Sequence, residues 1–163
     1  MINLSNWWRF NKPSSEFVHT KLFDENTFYK KFKADLAHCR KEVIIESPFI
    51  SSHRMHSLRL TFQQLVDRKI KVYVVTRHPE EHNLSMKLQA EEAIRLFETM
   101  GVQVLITTNY NHRKIAILDR NILWEGSLNI LSQTCSQEIM RRIESSREAI
   151  EMFKFTRLGK YIY

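Results

Sequence analysis

Residues 112–129 read His112-Arg113-Lys114-Ile115-Ala116-Ile117-Leu118-Asp119-Arg120-Asn121-Ile122-Leu123-Trp124-Glu125-Gly126-Ser127-Leu128-Asn129, and the architecture of the chain turns on them. Lys114 to Asp119 encloses an apolar run of the length of a buried strand. Ile122 to Glu125 reads as a second strand, returning antiparallel after a turn begun by Asn121. Residues two apart on a strand share a face and lie roughly 6.5–7 Å apart, so His112 and Lys114 project toward one place. Asp119 falls on the opposite parity, which suits an orienting or structural carboxylate. Ile115 and Ile117 point away from the His112 face and anchor the strand in the core. Gly126 permits close backbone approach, and Ser127 and Asn129 can offer a hydroxyl and an amide to a phosphate oxygen.

Upstream, helical and strand patterns alternate. Asp24 reads as the N-cap of a helix to about Cys39, with Phe28, Phe32, Leu36 and Cys39 on one face. Val43 to Ser47 reads as a strand ended by Pro48. A helix from about Arg54 to Arg68 then leads to the strongest strand signal, Ile70 to Thr76. A third helix, about Ser85 to Met100, stops at Gly101 before a strand from Val102 to Thr107. Downstream, a short strand near Ile139 to Ile143 and a helix from about Ser146 to Phe155 complete the pattern. Such alternation predicts an α/β domain with a mixed, mostly parallel sheet flanked by helices. We expect an N-terminal extension over 1–20 and one domain over 21–163, with no linker or internal repeat.

The 163 residues, 43% of them hydrophobic, suffice for a full core without disulfides or structural metal. Only three glycines are present, so neither the G-x-G-x-x-G dinucleotide loop nor the G-x-x-x-x-G-K-[ST] phosphate loop can be written. Cys39 and Cys135 cannot make a four-thiolate zinc site and read as reduced thiols, which points to the cytoplasm. The longest stretch without Asp, Glu, Lys or Arg is fourteen residues, Thr99 to His112, short of the roughly 20 a membrane span needs. The N-terminus lacks the pattern of a secretory signal. Net charge is +7, with +4 over residues 1–41, zero over 42–100 and +3 over 101–163. That bias favours a polyanionic partner, nucleic acid or an acidic membrane surface.

Residues 112–129 contain H-x-K, then four residues and Asp, then six residues and G-S-x-N. On this signature the chain resembles the phospholipase D superfamily, and the resemblance extends over most of residues 24–155. It implies phosphoryl chemistry at two facing motifs, without metal or cofactor. One histidine attacks phosphorus to form a phosphohistidine, and the other protonates the leaving oxygen and then activates water. A single complete motif is present, so the resemblance implies a homodimer that brings two copies of His112, Lys114 and Asn129 to a two-fold axis, and an inactive monomer. Glu138 matches the superfamily's downstream acidic residue and is expected to hold His112 by its other ring nitrogen.

The candidate catalytic set is therefore His112, Lys114, Asn129, Ser127, Asp119 and Glu138, with Lys114, Ser127, Asn129 and Arg77 on the substrate. Arg77 enters as a residue at the end of a central strand. His53, His56, His78 and His82 are scattered and lack metal-ligand spacing. His19-Thr20-Lys21 repeats H-x-K without the rest of the motif and reads as a surface segment; Trp7 and Trp8 read as an arm packing on the domain or its dimer mate. Small size, a single motif and basic charge resemble the superfamily's dimeric bacterial nucleases, and similar domains are appended to helicases. The expected activity is therefore an endonuclease on DNA or RNA. The alternatives are a nucleic-acid-binding dimerisation module without robust catalysis, and a phospholipid phosphodiesterase.

Overall fold

Side-chain caps and turn geometry set the boundaries of the elements. The computed structural model describes residues 18–108, 110–132 and 135–162, so Trp7, Trp8 and most of the 1–20 extension lie outside the described residues. In chain order the elements are β1 (His19–Asp24), α1 (Phe28–His38), β2 (Glu42–Glu46), α2 (Ser52–Asp67), β3 (Lys71–Arg77) and α3 (Leu84–Thr99). They continue with β4 (Gln103–Thr107), β5 (Ile115–Leu118), β6 (Ile122–Gly126), β7 (Ile139–Glu144) and α4 (Ser146–Phe155). Ser51, Asn83 and Ser145 cap α2, α3 and α4 by accepting from the backbone N–H groups of Arg54, Met86 and Glu148. Gly101 follows α3 with φ +91°, the left-handed residue that ends a helix. Asp24 caps a turn instead of the helix: its carboxylate takes the N–H groups of Asn26 and Thr27, and α1 starts four residues later.

The seven strands form one sheet in the order β1-β7-β6-β5-β2-β3-β4. The sheet is mixed, as expected, but it is not mostly parallel. Among the strand pairs of the described residues only β2–β3 and β3–β4 run parallel, linked by the crossover helices α2 and α3. The pairs β2–β5, β5–β6, β6–β7 and β7–β1 are antiparallel. The difference lies in β5 entering beside β2, antiparallel to it, and in β7 and β1 extending that side, while the reversal between β5 and β6 is as expected. Asp119 and Arg120 both take positive φ, 52° and 53°, and the Asn121 N–H closes the turn onto the Leu118 carbonyl at 2.9 Å. That is the handedness of a tight hairpin, which reverses the chain without a crossover. His19-Thr20-Lys21 belongs to β1, an exposed edge strand whose partner is β7.

One face of the sheet packs on α1, α2 and α3 through Phe28, Phe32, Leu58, Phe62, Phe97 and Trp124. The other face packs Ile44, Tyr73, Ile115, Ile117 and Leu123 against Ala149 of α4 and Leu158. Strand alternation divides the two, with Val43 and Ile45 on the first face and Ile44 on the second. Both faces being covered, β2 and β5 are apolar throughout except at Glu42 and Glu46, the two ends of β2. No helix among the described residues is long and apolar enough to cross a membrane.

Candidate active site

Lys114 is 8% exposed, and its ammonium donates to Nδ1 of His112 at 2.7 Å and to the His112 carbonyl at 2.8 Å. An ammonium has only hydrogens to offer, so Nδ1 is the acceptor and the proton of the neutral ring sits on Nε2. Both residues precede β5, which starts at Ile115. They meet through a curled loop rather than by projecting from one strand. Burial, then the charges of Lys114 and Arg77, push the His112 pKa below its ordinary 6.5. Burial also lowers the Lys114 pKa, against the opposing pull of Glu138.

His112, Lys114, Gly126 and Ser127 line an open cavity of about 540 Å³. Its rim is apolar and exposed, with Leu22 at 61%, Ile139 at 58% and Phe155 at 79%. Ser127 is held from both sides by Ile139: its N–H donates to the Ile139 carbonyl at 2.9 Å and its hydroxyl accepts from the Ile139 N–H at 3.1 Å. Glu138 hydrogen-bonds the Ser127 and Ser136 hydroxyls. Its carboxyl is held below the usual range first by Ser127, with burial opposing, and then by Ser136 and Lys114. No hydrogen bond joins Glu138 to His112 among the described residues; the carboxylate serves Ser127, Ser136 and Lys114 instead.

Asn129 lies in the adjoining cavity of about 350 Å³, with Phe49, Ser51 and Gln89. Its Oδ1 is buried without a hydrogen-bond partner among the described residues. Phe49, which lines that cavity, meets His112 edge-on at 5.9 Å. Arg77 reaches the site indirectly: it pairs with Glu81 at 2.9 Å and lays its guanidinium near the rings of Phe49 and Tyr110. Asp119 lies at the far end of β5, where its carboxylate accepts the backbone N–H groups of Arg40, Lys41 and Glu42 at 2.8–3.0 Å. That placement makes it a structural clamp, remote from His112.

Two residues escaped the sequence reading. Glu46 is wholly buried at the end of β2, and one of its oxygens accepts from the Asn111 amide and from Arg113 at 3.0 and 2.7 Å. It thereby holds both neighbours of His112. The signal was a lone acid closing the apolar run Val43 to Ile45. Arg141, exposed on β7, lines the His112 cavity with Arg113 and adds a cation there. Its only trace in sequence is its place in a short strand.

Gly126 is a steric requirement. A Cβ there would stand 2.1 Å from the Ile139 carbonyl oxygen and 2.9 Å from Cα of Met140, both backbone atoms of the paired strand. Gly126→Ala is expected to pry β6 from β7, cost about 1–3 kcal/mol and displace Ser127. Chemical denaturation reads the cost, and a loss under ~0.5 kcal/mol would show that the ladder adjusts freely.

The chain belongs to the phospholipase D-like family: the family model for the cardiolipin synthase, phospholipase D-like domain matches residues 32–156. Its fold is that of the superfamily's phosphodiesterases. Among solved structures it is similar to a phospholipase D family member, Nuc, from Salmonella typhimurium (TM-score 0.68, 14% identity, 85% of this chain and 91% of that one). It is similar also to NucT from Helicobacter pylori (TM-score 0.67, 14% identity, 86% and 94% covered). The phosphatidylserine synthase of Haemophilus influenzae superposes with TM-score 0.66 at 12% identity, over 87% of this chain but 38% of its own length. No curated protein matches the sequence.

Proposed function

We propose that this chain is a metal-independent endonuclease of phospholipase D type, cutting DNA or RNA through a phosphohistidine at a site shared by two copies. The observation that carries the reading is the Lys114–His112 pair, beside Ser127, in a cavity that is open and rimmed by exposed apolar side chains. Such a rim is what a second copy would cover, and a two-fold axis there would supply the second histidine.

In the complete site, Nε2 of one His112 attacks phosphorus and forms the P–N bond. The bond to the leaving oxygen breaks, and that oxygen takes the Nε2 proton of the partner's His112. The partner's His112 then removes a proton from water, whose oxygen displaces the first histidine and restores both rings. Lys114, Arg141 and the Asn129 amide stand around the developing negative charge. An Nδ1 that accepts from Lys114 leaves the neutral ring's one proton on Nε2; to act as the acid that ring must first gain a second proton, on Nδ1, and become an imidazolium, which requires Lys114 to turn away from it. The nucleophile needs its proton on Nδ1, and Glu138 is the carboxylate that would receive it once the dimer forms. Ser127 and Glu138 position the cavity wall, and Asp119 acts at a distance, by fixing the start of β2. A reducing, cytoplasmic setting belongs to the same reading, on the buried thiol of Cys39, which forms no disulfide.

The test is cleavage of end-labelled DNA and RNA in excess EDTA across a dilution series, with molecular mass measured alongside. We expect chelator-resistant cutting whose specific activity falls as the dimer dissociates. Full activity from a monomer would remove the shared site, and cutting abolished by EDTA would remove the metal-free mechanism. The apolar rim also suits a phospholipid substrate, so release of headgroup from phosphatidylglycerol vesicles is measured in the same series.

A further inference from the structure

A third cavity, of about 420 Å³, adjoins the His112 cavity, and Arg113 lines both. Its walls carry Thr107, Asn111, Arg157, Lys160 and Tyr161, with Glu46 beneath. Three cations therefore face one carboxylate, and that carboxylate is engaged by Arg113 and Asn111. Neither Arg157 nor Lys160 has a carboxylate partner among the described residues.

The wall is built, not loose. Leu158 and Ile162 are buried, and the Lys160 and Tyr161 N–H groups close the turn onto the Arg157 and Leu158 carbonyls at 3.1 and 2.9 Å. Arg157 itself is held at φ 56°, a left-handed conformation that a non-glycine residue adopts at a cost of order 1 kcal/mol. A glycine would have been the cheaper residue there, and an exposed arginine stands in its place. Tyr161, 44% exposed, offers a ring next to these charges. Across the two cavities the cations Arg141, Lys114, Arg113, Lys160 and Arg157 line neighbouring sites.

We infer that the cavity of Arg113, Arg157, Lys160 and Tyr161 is a second phosphate station, which holds a polynucleotide strand one or more linkages away from the bond at His112. The inference rests on the nucleic-acid reading and narrows it. A phospholipid headgroup has one phosphodiester to place and leaves this second group of cations without an occupant. A strand has a phosphate at every residue and a base to stack on Tyr161. The station therefore selects polymers over dinucleotides.

The experiment measures binding of a long single-stranded oligonucleotide, a dinucleotide, and vesicles of equimolar phosphatidylcholine and phosphatidylglycerol over a range of salt. It uses full-length His112→Asn protein, so that the strand stays intact, with and without Arg157→Gly plus Lys160→Ala. Glycine suits the left-handed backbone and keeps the turn. Each lost phosphate contact takes about 0.7 from the slope of log K against log salt for a single strand, so the double change should flatten it by about 1.4. At ~0.1 M salt that corresponds to roughly 25-fold weaker binding. Lys160→Arg alone should retain the parent slope. An unchanged slope in the double variant, with the strand still bound, overturns the station and spares the nucleic-acid reading. A parent protein that binds no strand overturns that reading itself. Vesicle binding lost in the same double variant, with strand binding intact, assigns the cations to a lipid surface and also overturns the station.

Discussion

Substituting His112 by Asn is expected to lower phosphodiester cleavage by at least about 10⁴-fold and to leave thermal stability almost unchanged. The side chain is exposed, so little packing is lost. Chemically the loss is double. In a two-fold site the same residue supplies both the nucleophile and the leaving-group acid, and the variant has neither. Asparagine keeps a hydrogen-bonding amide for Lys114 but can form no stable bond to phosphorus. The wild-type pH profile checks the same assignment. The His112 pKa is depressed by burial, Lys114 and Arg77, so the ring is neutral at pH values where an ordinary histidine still carries a proton. The rate should therefore rise with pH along a limb centred below 6.5, as the nucleophile deprotonates. The two coupled rings would report this as a property of the pair. Cleavage retained by His112→Asn, or an acidic limb above 6.5, would rule out the phosphohistidine route.

The largest stability loss is expected far from the cavity, at Asp35. This carboxylate is 5% exposed on α1 and accepts from Trp124 Nε1 at 3.1 Å, from Arg142 Nε at 2.7 Å and from Lys31 at 2.7 Å. Asp35→Ala leaves the Arg142 guanidinium buried with only the half-exposed Glu144 as a partner, and leaves the Trp124 N–H without an acceptor. Breaking a buried pair from one side costs about 3–5 kcal/mol. For a chain of this size that lowers the melting temperature by roughly 6–20 °C. Asp35→Asn keeps an acceptor for the indole and should lose less. A loss below ~1 kcal/mol for Asp35→Ala would mean that water reaches Arg142 once the carboxylate is gone. Because Trp124 lies on β6 two residues before Gly126, this network also ties the His112 cavity to the first helix.

The local parts of this architecture were legible in the sequence, and the long-range parts were not. His112 and Lys114 are two residues apart, and any reading of that spacing puts them together, whether on a strand or in the loop actually found. The helices were equally plain, since the spacing of their apolar residues lies within a few turns of sequence, although the caps found at Ser51 and Asn83 were not read and Asp24 was read as one. Strand direction was misjudged because period-two alternation is blind to it. The reversal after Leu118 was read from Asn121; what escaped is that β5 pairs antiparallel with β2 in the middle of the sheet, a contact between residues 43–46 and 115–118 that no local pattern encodes. β1 was missed since an edge strand wet on both sides shows no alternation. Glu46 was read as an ordinary strand residue: its partners, Asn111 and Arg113, stand 65 and 67 positions away.

The Asp119 clamp has a bearing on the order in which the chain closes. The hairpin of β5 and β6 needs only neighbouring residues and can form within microseconds of its own sequence becoming free. Its carboxylate must wait for Arg40, Lys41 and Glu42, at separations of 79, 78 and 77 residues, so the latch engages only after a loop of that length has been drawn in. Contacts of that range are slow to make and late to be rewarded. Asp119 is thus a closing fastener between an early meander and a late α/β half, and its loss should show chiefly as faster unfolding, with the folding rate nearly untouched.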